Sequence, residues 1–167
     1  MSDKARVVVR IAALREQTFE VFTREVDSWW RRGRRYRLGE GSVMVLEPRL
    51  GGRFFERVGD REHLMGTVTS WEPPRHLVIT WRAVNFTDAD PSTEIEVSFD
   101  RAIGHAGEGT LVTIEHRGFQ RVRADHPIRH GQASAAFIAS MGRWWGDLAA
   151  ALREVVAARQ FDRGPPS

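Results

Sequence analysis

The stretch that most constrains the fold lies near the end of the chain, at residues 133–158, ASAAFIASMGRWWGDLAAALREVVAA. Its large apolar residues recur at steps of three and four, the spacing of one face of an α-helix. This stripe consists of Phe137, Met141, Trp144, Leu148, Leu152 and Val155, with Ile138, Trp145 and Val156 beside it. Burying about eight such side chains, at roughly 1.5–3 kcal/mol each, releases more free energy than the net stability of a typical domain. We therefore expect a long helix that lies against another apolar surface.

Short segments of alternating polarity precede this helix and predict a sheet. The clearest is residues 93–99, where Ile95, Val97 and Phe99 alternate with polar side chains. Further strands are predicted at residues 6–11, 42–47, 53–58, 63–71, 76–82 and 110–117. Residues 14–23 predict a short helix after the first strand, and a second helical turn ends near Trp29 and Trp30. Because the later strands follow one another through tight turns, they should pair antiparallel in an α+β architecture.

The composition limits the kind of protein. The 167 residues predict one domain over residues 1–160 with a loose tail at residues 161–167. The absence of cysteine excludes disulfides and thiol chemistry and fits a reducing compartment. No apolar run has the length of a signal peptide or a membrane span, so we expect a cytoplasmic protein without a membrane partner. With 25 basic against 22 acidic residues, the charge does not indicate a nucleic-acid partner.

Four blocks of sequence, taken in order, resemble a known superfamily: EPRLGGRFFERV, GTVTSWEPPRHLVITW, GTLVTIEHRGF and GRWWGDLAAAL. They resemble the START-like (SRPBCC, birch-pollen-allergen-like) superfamily. Within it they are most similar to proteins related to the C-terminal domain of the activator of the ninety-kDa heat-shock-protein ATPase. The resemblance implies a helix-grip fold, with a curved antiparallel sheet wrapped around a long C-terminal helix, and two short helices after the first strand. The superfamily includes ligand binders, cyclases and co-chaperones, so it implies a fold more firmly than a function.

The implied fold and the inferred inner faces predict a module that binds a small hydrophobic or aromatic molecule between sheet and helix. The expected lining consists of Trp29, Trp30, Phe54, Glu56, Trp81, Val97, Phe99, Ile114, His116, Phe137, Met141 and Trp144. Only one of the adjacent Trp29 and Trp30 should face inward, which leaves the other at the entrance. In residues 53–58 the inward side is either Phe55 or the Phe54/Glu56 pair. The same aromatic side chains would equally serve to fill a solid core.

Two other functions stay open at this stage. An enzyme of the cyclase, dehydratase or hydrolase kind would use His116 or Glu56 for proton transfer in the same cavity, although the sequence contains no catalytic motif. A co-chaperone or regulatory module would bind a protein partner such as a chaperone. A homodimer is compatible with each of these functions.

Two polar motifs have features of ligand sites. His126 and His130 have the spacing of half a metal site, but Pro127 and Gly131 favour a helix start there. The basic run RRGRRYR at residues 31–37 could hold an anionic ligand, a nucleic-acid backbone or an acidic partner, and is more simply a solvated loop. We therefore predict no metal, no cofactor and no nucleic-acid partner.

Overall fold

The computed structural model describes residues 3–30, 38–39, 41–82, 86–159 and 161. The basic run at residues 31–37 and most of the expected tail lie outside these described residues. The elements in chain order are β1 (Lys4–Ile11), α1 (Arg15–Arg24), α2 (Val26–Trp30), β2 (Val43–Leu46), β3 (Arg53–Val58), β4 (Arg61–Glu72), β5 (His76–Trp81), β6 (Thr93–Gly104), β7 (Gly107–Arg117) and α3 (Ser134–Ala158). Two 3₁₀ turns, Phe119–Arg121 and Pro127–Arg129, connect β7 to α3.

The seven strands form one antiparallel sheet in the order β1-β7-β6-β5-β4-β3-β2. The sheet curls around α3 as a half-barrel, so the predicted α+β helix-grip fold is confirmed. Because consecutive side chains of a strand point to opposite faces, the alternating pattern of β6 buries Ile95, Val97 and Phe99. The register places Ile95 opposite His116 and Val97 opposite Ile114 on β7. Both strands therefore present apolar residues and one histidine to the interior.

Helix α3 lies close to the expected boundaries, but its buried face differs from the predicted stripe by one residue at two positions. Trp145 and Val156 are buried, whereas Trp144 and Val155 of the predicted stripe are only half-buried. The spacing of Phe137, Met141, Trp145, Leu148, Leu152 and Val156 also fits one helix face. The apolar pattern is therefore compatible with two different buried faces. The hydrogen bond that Trp145 donates to His116 selects the observed one.

The expectation that either Trp29 or Trp30 stays at the entrance is wrong, because both rings are buried. Successive helical residues are rotated by about 100°, and α2 has core on two of its sides. Trp29 packs on Phe22 of α1, with 4.7 Å between ring centroids. Trp30 packs on Phe54 of β3, at 5.0 Å.

Strand β3 turns Phe54 and Glu56 toward the interior, which decides between the two alternatives left by the sequence. Phe55 is buried as well, but under the guanidinium of Arg53, which lies 4.4 Å from its ring centroid. Long side chains can cover apolar surface in this way while their charged ends stay in water. No helix in the described part of the chain has the length and apolarity to cross a bilayer.

Replacing Gly66 of β4 by alanine should destabilise the protein. A Cβ at this position would overlap the carbonyl oxygen of Thr80 on the neighbouring strand. We expect Gly66→Ala to lower the free energy of unfolding by about 1–3 kcal/mol, as overpacking does. The matched control is Gly146→Ala in α3, where a Cβ meets nothing within 4 Å. It should raise stability by about 0.5–1 kcal/mol. Urea denaturation of both variants checks the pair, and equal effects would contradict this account.

Candidate functional site

Three tryptophans from three different elements meet between the sheet and α3. Trp30 comes from α2, Trp81 ends β5, and Trp144 comes from α3. The ring centroid of Trp144 lies 5.5 Å from that of Trp30 and 5.6 Å from that of Trp81. We call these three residues the indole cluster. Trp30 and Trp81 are buried and Trp144 is half-buried, so the cluster reaches the surface at Trp144.

Two indole N–H groups of this cluster have no acceptor. The Nε1 atoms of Trp30 and Trp81 are buried and have no hydrogen-bond partner among the residues that the structure describes. By contrast, Nε1 of Trp29 donates to the carbonyl oxygen of Phe22 at 3.2 Å. A buried tryptophan usually finds a partner for its N–H, and leaving such a donor unpaired costs about 1–3 kcal/mol. Two unpaired donors in one cluster are therefore a polar feature that folding alone does not explain.

His116 links helix and sheet through a continuous hydrogen-bond chain. Nε1 of Trp145 donates to Nδ1 of His116 at 3.0 Å. Nδ1 is therefore the acceptor, and Nε2 carries the proton and donates to Oγ1 of Thr93 at 2.7 Å. The Thr93 hydroxyl then donates to the carbonyl oxygen of Trp81 at 3.0 Å. Every donor in this buried chain has an acceptor.

The environment of His116 is closed. Burial lowers the pKa of His116 to about 3, so the ring is neutral near pH 7. Both ring nitrogens already have partners within the protein. Proton transfer by His116 would require one of these hydrogen bonds to break.

Glu56 is held in a similarly closed arrangement. Its carboxylate is buried and accepts hydrogen bonds from the backbone N–H of Leu38, at 3.1 Å, and from Oγ of Ser42, at 3.0 Å. These bonds fasten the segment before β2 to the inner side of β3. The sequence left open whether Glu56 faces inward, and it indicated neither partner.

The other predicted lining residues lie in the interior but not all in the indole cluster. Val97 and Ile114 face each other across β6 and β7. The ring of Phe99 contacts Phe19 and Phe22 of α1 instead of the tryptophans. Phe137 and Met141 are buried nearer the start of α3. Their contact with a ligand stays a prediction.

His126 caps a turn. Its Nδ1 accepts from the backbone N–H of Ile128 at 3.1 Å, which starts the 3₁₀ turn Pro127–Arg129. Its Nε2 lies 3.2 Å from Oδ2 of Asp90, and its ring packs on Phe86 at 4.6 Å. The loop before β6 is thereby attached to the turn before α3. In the ranges that the structure describes, no group of three or more potential metal ligands is found.

A cleft of about 510 Å³ opens between the first residues of β4 and the segment after β5. Its lining consists of Leu38, Glu62, His63, Leu64, Arg82, Phe86, Thr87 and Asp88. A smaller cleft of about 210 Å³ shares Leu64 and Arg82 with it. We call the larger one the Arg82 cleft. Phe86 joins it to the interior, because its ring lies 6.1 Å from that of Trp81. No motif in the sequence indicates this cleft, because its lining comes from separate segments of the chain.

The curled sheet and the enclosed C-terminal helix define a START-like, helix-grip protein. The family model of the Activator of Hsp90 ATPase homolog 1-like proteins matches residues 12–153. The chain therefore belongs to this family, which confirms the resemblance seen in the sequence. A search of the curated proteins found no match to the chain.

Solved structures show the same fold at low sequence identity. A Mesorhizobium loti protein is 18% identical with a TM-score of 0.62, over 95% of this chain and 99% of that chain. A Bacillus halodurans protein is 24% identical with a TM-score of 0.60, over 92% and 96%. An HSP90 activator from Plasmodium falciparum is 17% identical with a TM-score of 0.60, over 93% and 97%.

The buried, neutral state of His116 predicts a pH dependence of stability. The unfolded chain binds a proton at this histidine below about pH 6.5, whereas the folded chain does so only near pH 3. The stability that depends on neutral His116 is therefore present above pH 6.5 and is lost as the pH falls toward 3. The loss should be about 1.4 kcal/mol per pH unit.

His116→Gln removes the titrating group and keeps a hydrogen-bonding side chain. Between pH 6 and pH 4 the free energy of unfolding of this variant should fall less steeply than that of the wild type, by about 1.4 kcal/mol per pH unit. Chemical denaturation at several pH values measures both slopes. Carboxylates such as Glu96, whose pKa the His76 hydrogen bond lowers, contribute equally to both proteins and cancel in the comparison. Parallel slopes would contradict the assignment.

Proposed function

We propose that this protein binds a small aromatic or hydrophobic molecule at the indole cluster. The observation that carries the proposal is the pair of buried indole N–H groups, on Trp30 and Trp81, without an acceptor. Ligand sites are typically apolar with a few polar groups that fix the orientation of the ligand. The cluster supplies apolar ring surface and two such donors.

The half-buried position of Trp144 supports a route to this site. Its ring contacts both Trp30 and Trp81, so a shift of this one side chain exposes ring surface of both partners. A flat ligand that takes part of that surface gains stacking with the indoles. A carbonyl oxygen on the ligand would accept hydrogen bonds from these N–H groups. Because the N–H groups already lose their contact with water on folding, binding does not have to desolvate them again.

Binding without turnover fits the site better than catalysis. The enzyme alternative relied on His116 or Glu56, and His116 is neutral with both nitrogens engaged. The buried carboxylate of Glu56 accepts hydrogen bonds from Leu38 and Ser42. A proton-transfer role would require these bonds to break first.

A protein-binding role is the second candidate, and family membership is the finding that favours it. The family is named after an activator of the Hsp90 ATPase, and the Plasmodium falciparum relative is described as an HSP90 activator. Stimulation of Hsp90 ATPase activity by the purified protein would support this role. It would be independent of the indole N–H groups.

Conversion of Trp30 or Trp81 to phenylalanine should reduce binding of ligands that carry acceptors. The probes are 1,4-naphthoquinone and naphthalene, which share a ring system but differ in two carbonyl oxygens. The absence of cysteine prevents thiol addition to the quinone. We expect calorimetry to show that Trp30→Phe and Trp81→Phe weaken naphthoquinone binding about five- to thirtyfold, the equivalent of 1–2 kcal/mol. Naphthalene binding should change much less.

The matched control is Trp29→Phe, which removes an N–H group that already has an acceptor inside the protein. This variant should lower stability and leave the ratio of the two affinities near the wild-type value. If neither probe binds, or if all three variants change the ratio equally, the proposed function fails.

A further inference from the structure

We propose that the Arg82 cleft is a second ligand site, which takes a small molecule with an apolar body and one carboxylate. None of its lining residues belongs to the indole cluster. The proposal therefore does not rest on the function proposed above. Its volume of about 510 Å³ lies within the range of small-molecule pockets.

The guanidinium of Arg82 is the polar centre of this cleft. Its Nε is buried without a hydrogen-bond partner, although the side chain as a whole is 37% exposed. Its Nη1 lies 4.0 Å from the carboxylate of Asp88, which is too far for a hydrogen bond. Arg82 also lines the smaller cleft of about 210 Å³, so this residue lies between the two spaces.

The remaining charges of the cleft select the class of anion. The carboxylate of Glu62 is already paired with Arg53, at 2.8 Å, and that of Asp88 is fully exposed. One guanidinium matches the planar geometry of a single carboxylate through two parallel hydrogen bonds. Among the described lining residues Arg82 is the one arginine, and the exposed carboxylate of Asp88 lies nearby, so a second negative charge on the ligand would be less well compensated. The geometry therefore favours a monoanionic carboxylate.

The apolar walls indicate what carries that carboxylate. Leu38, Leu64 and Phe86 line the cleft beside Arg82. Leu64 is 54% exposed, so its side chain offers apolar surface to a molecule in the cleft. An aromatic acid fits the combination of the Arg82 guanidinium and the apolar side chains that the described part of the lining provides.

The protein holds the wall of the cleft in place. The backbone N–H and hydroxyl of Thr87 donate to Oδ2 of Asp90, at 2.7 and 3.1 Å. Asp90 in turn contacts the buried ring of His126. On the other side, the backbone N–H of Arg82 donates to the carbonyl oxygen of Met65 at 2.8 Å. A site with fixed walls loses little entropy when a ligand binds.

The test is calorimetric titration with 2-naphthoate at low ionic strength. The first comparison ligand is 2-naphthol, which has the same rings without the carboxylate, and the second is inorganic phosphate. We expect 2-naphthoate to bind the wild type and Arg82→Gln to weaken this binding about tenfold or more. Arg82→Lys keeps the charge without the paired donors and should show a smaller loss.

The matched control is Arg57→Gln, which makes the same charge change at an exposed residue of β3 outside the lining. It should leave 2-naphthoate binding unchanged. Equal losses in Arg82→Gln and Arg57→Gln, or displacement of 2-naphthoate by equimolar phosphate, would overturn the proposal in favour of general attraction of anions.

The same titrations distinguish failure of the Arg82 site from failure of the function proposed at the indole cluster. If Trp81→Phe abolishes 2-naphthoate binding while Arg82→Gln leaves it intact, the second site does not exist and the function proposed at the indole cluster gains support. If Arg82→Gln abolishes 2-naphthoate binding and the naphthoquinone experiment fails, the second site stands alone. Thermal unfolding of each variant confirms that it is folded.

Discussion

The hydrogen-bond chain through His116 is the interaction on which the interior depends. It fixes the rotation of α3, because Trp145 must point inward to reach Nδ1 of the histidine. It also fixes β6 against the end of β5, because Thr93 bonds both His116 and the carbonyl oxygen of Trp81. The chain is fully satisfied, and a buried polar network contributes to a unique structure only under that condition. With α3 held in this orientation, Trp144 falls beside Trp30 and Trp81.

The sequence predicted the architecture because each element carries its own periodic signal. The alternation of β6 and the three-and-four spacing of α3 are local patterns that tertiary contacts reinforce. The choice between Trp144 and Trp145 could not be made in this way. The spacing permits both, and the deciding partner, His116, lies 29 residues away in the chain. The positions of Trp29 and Trp30 were missed for a related reason, since one short helix has core on two sides.

The sequence predicted which residues of the site lie in the interior, but it did not predict which of them contact one another. Most expected lining residues are buried, but Phe99 lies in a different ring cluster from Trp81. The unpaired N–H groups of Trp30 and Trp81 have no signature in sequence, because hydrogen-bond satisfaction depends on which carbonyl groups the fold places nearby. The Arg82 cleft could not be predicted from the sequence either. Its lining joins residues from separate segments, and no motif connects them.

The indole N–H groups of Trp29 and Trp145 have acceptors inside the protein, whereas those of Trp30 and Trp81 have none among the described residues. NMR of the indole N–H groups tests this difference most directly. In protein labelled with ¹⁵N-tryptophan, each of the six tryptophans has its own N–H signal. Addition of 1,4-naphthoquinone should shift the Trp30 and Trp81 signals downfield and slow their exchange with solvent. The signals of Trp29 and Trp145, whose acceptors lie within the protein, should change little. Equal shifts of all these signals, or none at Trp30 and Trp81 while the compound binds, would contradict the account.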